Sequence, residues 1–116
     1  MTQRRRRLGA SGEDRAAAWY EAHGYVVLDR NWRCREGELD LVCRRGDVLV
    51  FSEVKTRSSL AYGHPAEAVT VAKQRKVRQV AMRWLADHRD RACAPALRFD
   101  VVAVLAGEVD VIEGAF

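Results

Sequence analysis

Three charged residues, Asp40, Glu53 and Lys55, interrupt two apolar segments that flank a short polar turn. The stretch GELDLVCRRGDVLVFSEVKTR, Gly37–Arg57, predicts a β-hairpin. Apolar strands normally exclude such residues, because an unpaired charge taken out of water costs roughly several kcal/mol. Carboxylate oxygens suit Mg²⁺, and a metal beside a lysine suits hydrolysis of a phosphodiester bond. The alternative is a solvent-facing ion pair between Glu53 and Lys55, with Asp40 beside it.

The alternation of side chains along a strand predicts that the three residues share one face of the hairpin. A two-residue turn at Arg45–Gly46 would place Asp40 opposite Phe51 and diagonal to Glu53, with their Cα atoms about 7–8 Å apart. Two carboxylates at that separation can lean onto one cation, and Lys55 follows one step further along the same face. The other face of the first strand would carry Leu39, Leu41 and Cys43. One extra loop residue would move one strand's side chains to the opposite face, so the site depends on the register.

Length and composition are those of one globular domain. The chain has 116 residues, of which 48% are hydrophobic. No apolar run approaches the length of about 20 residues that crosses a bilayer, and no apolar segment follows the basic N-terminus. Three cysteines, an odd number without a CxxC motif, favour reduced thiols over disulfides or a structural zinc site. We therefore expect a cytoplasmic protein without a membrane partner.

The net charge of +4 is unevenly distributed. Arg4–Arg7 contribute four positive charges, and we expect residues 1–8 to form a flexible basic arm on a single domain of residues 9–116. From Lys73 to Arg91, seven basic residues stand against two acidic ones. This distribution fits a polyanionic partner, and it equally fits a solubilising helix face with a disordered arm.

The order of predicted elements is αβββαββ. A first helix would begin at a Ser11 cap and end at Gly24, and three strands would follow. After a loop, Thr70 would cap a long helix that reaches about His88, before two final strands. This order predicts a mixed sheet with helices packed on it, an α/β or α+β domain.

The hairpin resembles the PD-(D/E)xK signature of the restriction-endonuclease-like nucleases. Asp40 is followed, after 12 intervening residues, by Glu53-Val54-Lys55. The segments around them are similar to the YraN-like family of uncharacterised bacterial proteins. They read GEDRAAAWYEAHGYVVLDRNWRCREGELDLV, FSEVKTR, YGHPAEAV and RFDVVAV. This resemblance runs from Gly12 to Phe116. It implies an α/β fold with a restriction-endonuclease-like core, a mixed sheet flanked by helices, related to the archaeal Holliday-junction resolvases.

The resemblance also implies site residues and an activity. Asp40 and Glu53 would bind Mg²⁺ or Mn²⁺, and Lys55 would be the catalytic lysine. Glu13 would be a helix acid that approaches the metal, or only an acid at a helix N-terminus, and Glu38 would assist as a nearby acid. The implied function is a metal-dependent endonuclease acting on nucleic acid, DNA rather than RNA, with branched or flapped structures as substrates. The alternative is a non-catalytic nucleic-acid-binding module with a vestigial nuclease site.

Two positions depart from the nuclease pattern. Ser52 stands where an apolar residue is expected, and Leu39 replaces the classical proline before the first aspartate. By alternation Ser52 lies off the catalytic face, so it bears on packing rather than on chemistry. Asp100, a charge within an apolar strand, is expected to play a structural role by pairing with Arg98 or another basic residue.

Nucleic-acid contacts are expected beside the hairpin. Arg57, Lys73 and Lys76 would contact phosphates, which gives sequence-independent and salt-sensitive binding. Trp32 and Tyr62 would stack on unpaired bases. Because one domain holds one active site and cutting a duplex needs two, we also expect a homodimer.

Overall fold

Five strands form one sheet in which neighbours along the chain are also neighbours in space. The computed structural model describes residues 3–57, 69–90 and 96–116, with side chains from residue 12 onward. The strands are β1 (Val26–Cys34), β2 (Gly37–Arg45), β3 (Val48–Arg57), β4 (Ala96–Leu105) and β5 (Glu108–Ile112). Strands β3 and β4 are parallel, and the other neighbouring pairs are antiparallel.

In the described part of the chain, two helices cover the two faces of this sheet. Helix α1 (Gln3–Ala22) packs through Tyr20 on one face, and helix α2 (Val71–Asp87) packs through Trp84 on the other. Helix α2 connects β3 to β4, because parallel neighbours need a crossover connection. The order αβββαββ and the mixed sheet confirm the predicted α/β fold, which is consistent with a nuclease-like core. Within the described residues, no helix combines the length and apolar character that crossing a membrane requires.

Helix α2 begins at the predicted cap, whereas helix α1 begins earlier than predicted. The Thr70 hydroxyl accepts a hydrogen bond from the Lys73 backbone N–H at 3.2 Å, which satisfies a donor of the first turn. Helix α1 begins at Gln3 instead of at a Ser11 cap, so the arginine run has helical backbone. Gly24 ends this helix with φ +85°, as predicted. The flexibility of residues 1–8 stays a prediction.

The turn between β2 and β3 lies one residue later than predicted. Arg45 pairs with Val48, so the two turn residues are Gly46 and Asp47, and Val42 rather than Asp40 lies opposite Phe51. Gly46 has φ +56° and stands first in the turn, where a type II′ turn requires glycine. The predicted turn would have placed an arginine there. The pairing therefore shifts by two positions, an even number, which preserves the predicted faces of most residues.

Asp100 is completely buried on the α1 side of the sheet. Its carboxylate accepts hydrogen bonds from the Tyr20 hydroxyl at 2.7 Å, from Arg98 Nε at 2.8 Å and from the Gly114 backbone N–H at 3.0 Å. The Tyr20 hydroxyl also hydrogen-bonds to Ser52. A buried carboxylate with this many donors is satisfied within the fold. The pairing of Asp100 with Arg98 and the turning of Ser52 away from the α2 face agree with prediction.

Candidate active site

Strand alternation breaks beside Asp40 in β2. Leu41 packs on the α1 side of the sheet, but Leu39 packs on the α2 side, so alternation fails between them. Their partners in β1 are Arg30 and Trp32, which flank Asn31. Asn31 has φ +52°, a conformation that asparagine tolerates better than most residues. The predicted location of Leu39 on the same face as Leu41 is wrong because of this local distortion.

Asp40 and Glu53 lie together where strands β2 and β3 separate. The regular pairing of the two strands ends at Leu41 and Ser52. Beyond it, Asp40 Oδ2 accepts a hydrogen bond from the Val54 backbone N–H at 2.8 Å, so the carboxylate replaces a ladder contact. Asp40 is 8% exposed and Glu53 5% exposed, and the presence of Asp40 raises the pKa of Glu53. The hairpin therefore holds two buried acidic groups side by side.

The environment of Glu53 disfavours its charged form. Burial raises the pKa of Glu53 from 4.5 to about 8, and the hydrogen bond and negative charge of Asp40 act in the same direction. Lys73 and, more weakly, Lys55 lower this pKa. Among the described residues, Glu53 Oε2 is the buried side-chain oxygen that has no hydrogen-bond partner. Lys73 Nζ lies 3.4 Å from this oxygen, close enough for charge attraction but not aligned as a hydrogen bond.

Glu13 approaches the pair from helix α1. A Cβ atom at Gly12 would collide with the Thr56 hydroxyl, so glycine allows the helix to pass close to β3. Glu13 is half-buried and hydrogen-bonds to Asn31. Burial raises its pKa, and the charge of Asp40 adds to this effect. Because α1 begins at Gln3, Glu13 lies in the helix interior, and its reading as an N-terminal helix acid is wrong.

Of the other predicted site residues, Lys55 shares a face with Glu53, whereas Glu38 and Arg57 contact other groups. Lys55 follows Glu53 by two positions in β3, so alternation places both side chains on the same face, and the charge of Lys55 lowers the pKa of Glu53. Glu38 instead forms an exposed ion pair with Arg33 at 3.0 Å. Arg57 donates a hydrogen bond to the Thr56 carbonyl.

Two residues predicted to bind nucleic acid have neighbours that the sequence did not indicate. The Lys76 side chain passes close to Gly37, and Trp32 has its ring against His88. Tyr62 lies outside the described residues.

The donor set suits a hard divalent cation. Among the described residues, no three His, Cys, Asp or Glu side chains come together as a metal-ligand group. Mg²⁺ typically takes one or two protein carboxylates and completes its coordination with water and substrate phosphate oxygens. Asp40 and Glu53 meet that requirement, and the unpartnered Glu53 Oε2 is the type of buried oxygen that a cation would satisfy. The residues therefore fit Mg²⁺ or Mn²⁺.

Sequence comparison identifies the family. The family model described as Uncharacterised protein family UPF0102 matches residues 12–104. The chain belongs to this family. A UPF0102 protein of Beutenbergia cavernae is 60% identical over 98 residues, which cover 84% of this chain and 81% of the relative. A UPF0102 protein of Arthrobacter sp. is 55% identical over 98 residues, with the same coverages. One from Rhodococcus jostii is 53% identical over 103 residues, which cover 86% of this chain and 83% of the relative.

The sequence did not indicate the parts that Asn31 and Lys73 have in this UPF0102 site. Asn31 was not singled out, although an asparagine within a predicted strand is itself a signal, because strands are depleted in this residue. Lys73 was expected to contact phosphate, and the structure places its ammonium beside Glu53. No local pattern links Lys73 to β3. Both residues, with Glu13, Asp40, Glu53 and Lys55, lie within the segment that the UPF0102 model matches.

Proposed function

We propose that this UPF0102 protein is a metal-dependent endonuclease that hydrolyses phosphodiester bonds in nucleic acid. The observation that carries the proposal is the buried pair of Asp40 and Glu53, with one Glu53 oxygen that lacks a hydrogen-bond partner. Two carboxyl groups that raise each other's energy in a buried position are costly for stability, and a bound cation would remove that cost. Asp40 and Glu53 would hold Mg²⁺ or Mn²⁺.

The protein's own residues have distinct parts in this proposal. When bound, the metal would supply a nucleophilic water near neutral pH and neutralise charge on the scissile phosphate. Lys55, on the face of Glu53, would orient that water or stabilise the charge that develops on the phosphate. The Val54 backbone N–H fixes the carboxylate of Asp40. Glu13 would act on the pair from the α1 side, since the charge of Asp40 contributes to the raised pKa of Glu13.

The proposed substrate is DNA rather than RNA, including branched or flapped structures. This choice rests on the relationship of the fold to junction-cleaving nucleases, and fold alone does not establish substrate. Contacts of Arg57 and Lys76 with phosphates are part of the same proposal, as are a homodimer that cuts both strands and a cytoplasmic location. Light scattering of the purified protein at high concentration tests the homodimer, and a monomer throughout would contradict it.

A second candidate function has one specific observation in its favour. Lys73 already provides a positive charge beside Glu53 without any metal. A lysine in that position is compatible with a binding module in which an internal ion pair has replaced the metal. In that case nucleic-acid binding would persist in EDTA, and no metal would change the melting temperature.

A cleavage assay tests the proposed function against this alternative. Labelled single-stranded, duplex, flap and four-way-junction DNA would be incubated with wild type and with Lys55→Ala, in Mg²⁺, Mn²⁺ or EDTA. Arg44→Ala is the matched control, because it removes one positive charge near the turn, at the other end of the same hairpin. We expect metal-dependent cutting by wild type and Arg44→Ala, and loss of cutting by Lys55→Ala. Cutting by Lys55→Ala at the wild-type rate would contradict the proposed site.

A further inference from the structure

Lys73 is held beside Glu53 by helix α2 rather than by the hairpin. Thr70 caps the helix and fixes its first turn through the Lys73 backbone N–H. The Lys73 side chain then reaches the sheet, where its ammonium lies 3.4 Å from Glu53 Oε2. Its side chain is 36% exposed, while that of Glu53 is 6% exposed. The ammonium therefore lies at the boundary between the buried carboxyl pair and solvent.

The electrostatics of the helix do not account for a lysine at this position. The N-terminal end of a helix carries partial positive charge, so anionic side chains stabilise it and cationic ones oppose it. The first turn of α2 contains Lys73 and no acidic residue. The charge partner of Lys73 is Glu53, and Lys73 lowers the pKa of Glu53 more strongly than Lys55 does.

A divalent cation and the Lys73 ammonium cannot both stay in contact with Glu53 without strong repulsion. Two like charges about 4 Å apart repel substantially at the dielectric of a protein surface. The partly exposed lysine is the group that can move, because the cation would be held by two buried carboxylates. Its displaced ammonium would remain at the solvent boundary of the carboxyl pair, where a positive charge is available to a substrate phosphate.

We propose that Lys73 is a second functional lysine of the site, which occupies the place of the metal on Glu53 and moves to a substrate phosphate when the metal binds. This inference rests on the proposed function. It adds a competition between an internal ammonium and the metal, and it assigns to Lys73 a contact that is made only in the metal-loaded state. The sequence signature supplies one lysine, Lys55, and the tertiary structure supplies the other.

Metal affinity gives a test that does not depend on activity. Binding of Mn²⁺ and Mg²⁺ to the full chain would be measured by titration calorimetry for wild type and Lys73→Met, at a pH above the Glu53 pKa of about 8, so that a proton on Glu53 does not compete with the metal. Arg75→Met is the matched control, since it makes the same change of charge on an exposed part of α2. We expect the Kd of Lys73→Met to fall about tenfold, because the competing charge is removed, and that of Arg75→Met to stay within about twofold. Lys73→Arg keeps the charge and should keep the wild-type Kd.

Nucleic-acid binding tests the second half of the inference. Lys55→Ala would serve as a non-cutting background, and its binding to labelled duplex DNA would be compared in Mn²⁺ with that of Lys55→Ala/Lys73→Met across a range of KCl. Loss of one phosphate contact should lower affinity and reduce the slope of log affinity against log salt by about one. In EDTA the two proteins should have the same salt slope, because Lys73 then stays beside Glu53 and makes no phosphate contact.

The outcomes separate this inference from the proposed function. An unchanged or larger metal Kd in folded Lys73→Met, with wild type binding metal, would overturn the competition and leave the nuclease proposal standing. An unchanged salt slope in Mn²⁺ would overturn the phosphate contact. Absence of metal binding by wild type at millimolar concentrations would overturn both this inference and the proposed function. Should Lys73→Met fail to fold, Lys73→Gln gives the same comparison.

Discussion

Glu53 should make the stability of the metal-free protein depend on pH. Its pKa is raised from 4.5 to about 8 by burial first, and then by the hydrogen bond and charge of Asp40, against the opposing charges of Lys73 and Lys55. The folded protein therefore keeps a proton over a pH range in which the unfolded chain releases it. Glu13 approaches from α1 and also has a raised pKa, so it contributes in the same direction.

The sign and size of the effect follow from this shift. Stability is fully present below pH 4.5, where both states carry the proton, and it is lost as pH rises through the folded pKa of about 8. At about 1.36 kcal/mol per pKa unit, the loss amounts to about 3–5 kcal/mol. A domain of this size loses more than about 10 °C of melting temperature for such a change.

Thermal unfolding in EDTA between pH 5 and pH 9 measures this dependence. We expect the melting temperature of wild type to fall toward pH 9 and that of Glu53→Gln to stay nearly level, because glutamine does not ionise. Glu108→Gln, on the exposed edge of the sheet, should follow the wild-type curve. Parallel curves for wild type and Glu53→Gln would refute the reasoning, since the pH dependence would then arise elsewhere. A residual slope in Glu53→Gln that disappears in Glu13→Gln/Glu53→Gln would assign the remainder to Glu13.

Three further predictions concern the site and its support. Asp40→Asn should reduce metal-dependent cleavage of the preferred DNA more than about 100-fold. A residue that only hydrogen-bonds to a metal ligand typically costs about 10–100-fold when it is lost, and a direct ligand should cost more. A variant that keeps a tenth of wild-type activity would contradict this role. Gly12→Ala should lower stability in urea unfolding by about 1–3 kcal/mol because its methyl group meets the Thr56 hydroxyl. The double variant with Thr56→Ala should recover part of that loss, and no recovery would indicate another cause. Asp100→Asn should cost about 3–5 kcal/mol in the same assay, because it removes the charge of a completely buried carboxylate that pairs with Arg98 and leaves Arg98 only the more distant, half-exposed Glu113. Asp110→Asn, exposed on β5, should change stability little, and equal losses would contradict the role of the buried network.

Strand periodicity predicted that Asp40 and Glu53 meet on the hairpin, although it did not predict the face of Leu39. The shift of two positions in the β2–β3 pairing did not separate Asp40 from Glu53, because an even shift returns each side chain to its face. The helical cap at Thr70 likewise follows from local chemistry. A hydroxyl just before the first turn accepts a hydrogen bond from a free backbone N–H of that turn, wherever the helix packs.

The remaining features depend on contacts between residues far apart in the chain. Leu39 packs on the α2 side, opposite the part of β1 that contains Asn31 with its positive φ, and Asp40 accepts a hydrogen bond from Val54 of β3. No period in the sequence encodes these contacts.

The sequence by itself determined the order of elements, the two carboxylates and the lysine on one hairpin, because periodicity and capping act over a few residues. Only the tertiary structure decided that these carboxylates are buried, that one oxygen of Glu53 lacks a hydrogen-bond partner, and that Lys73 lies beside it. Burial and the meeting of α2 with β3 arise when the helices pack on the sheet. The pKa of Glu53 and the contact of Lys73 with its carboxylate are therefore properties of the packed fold.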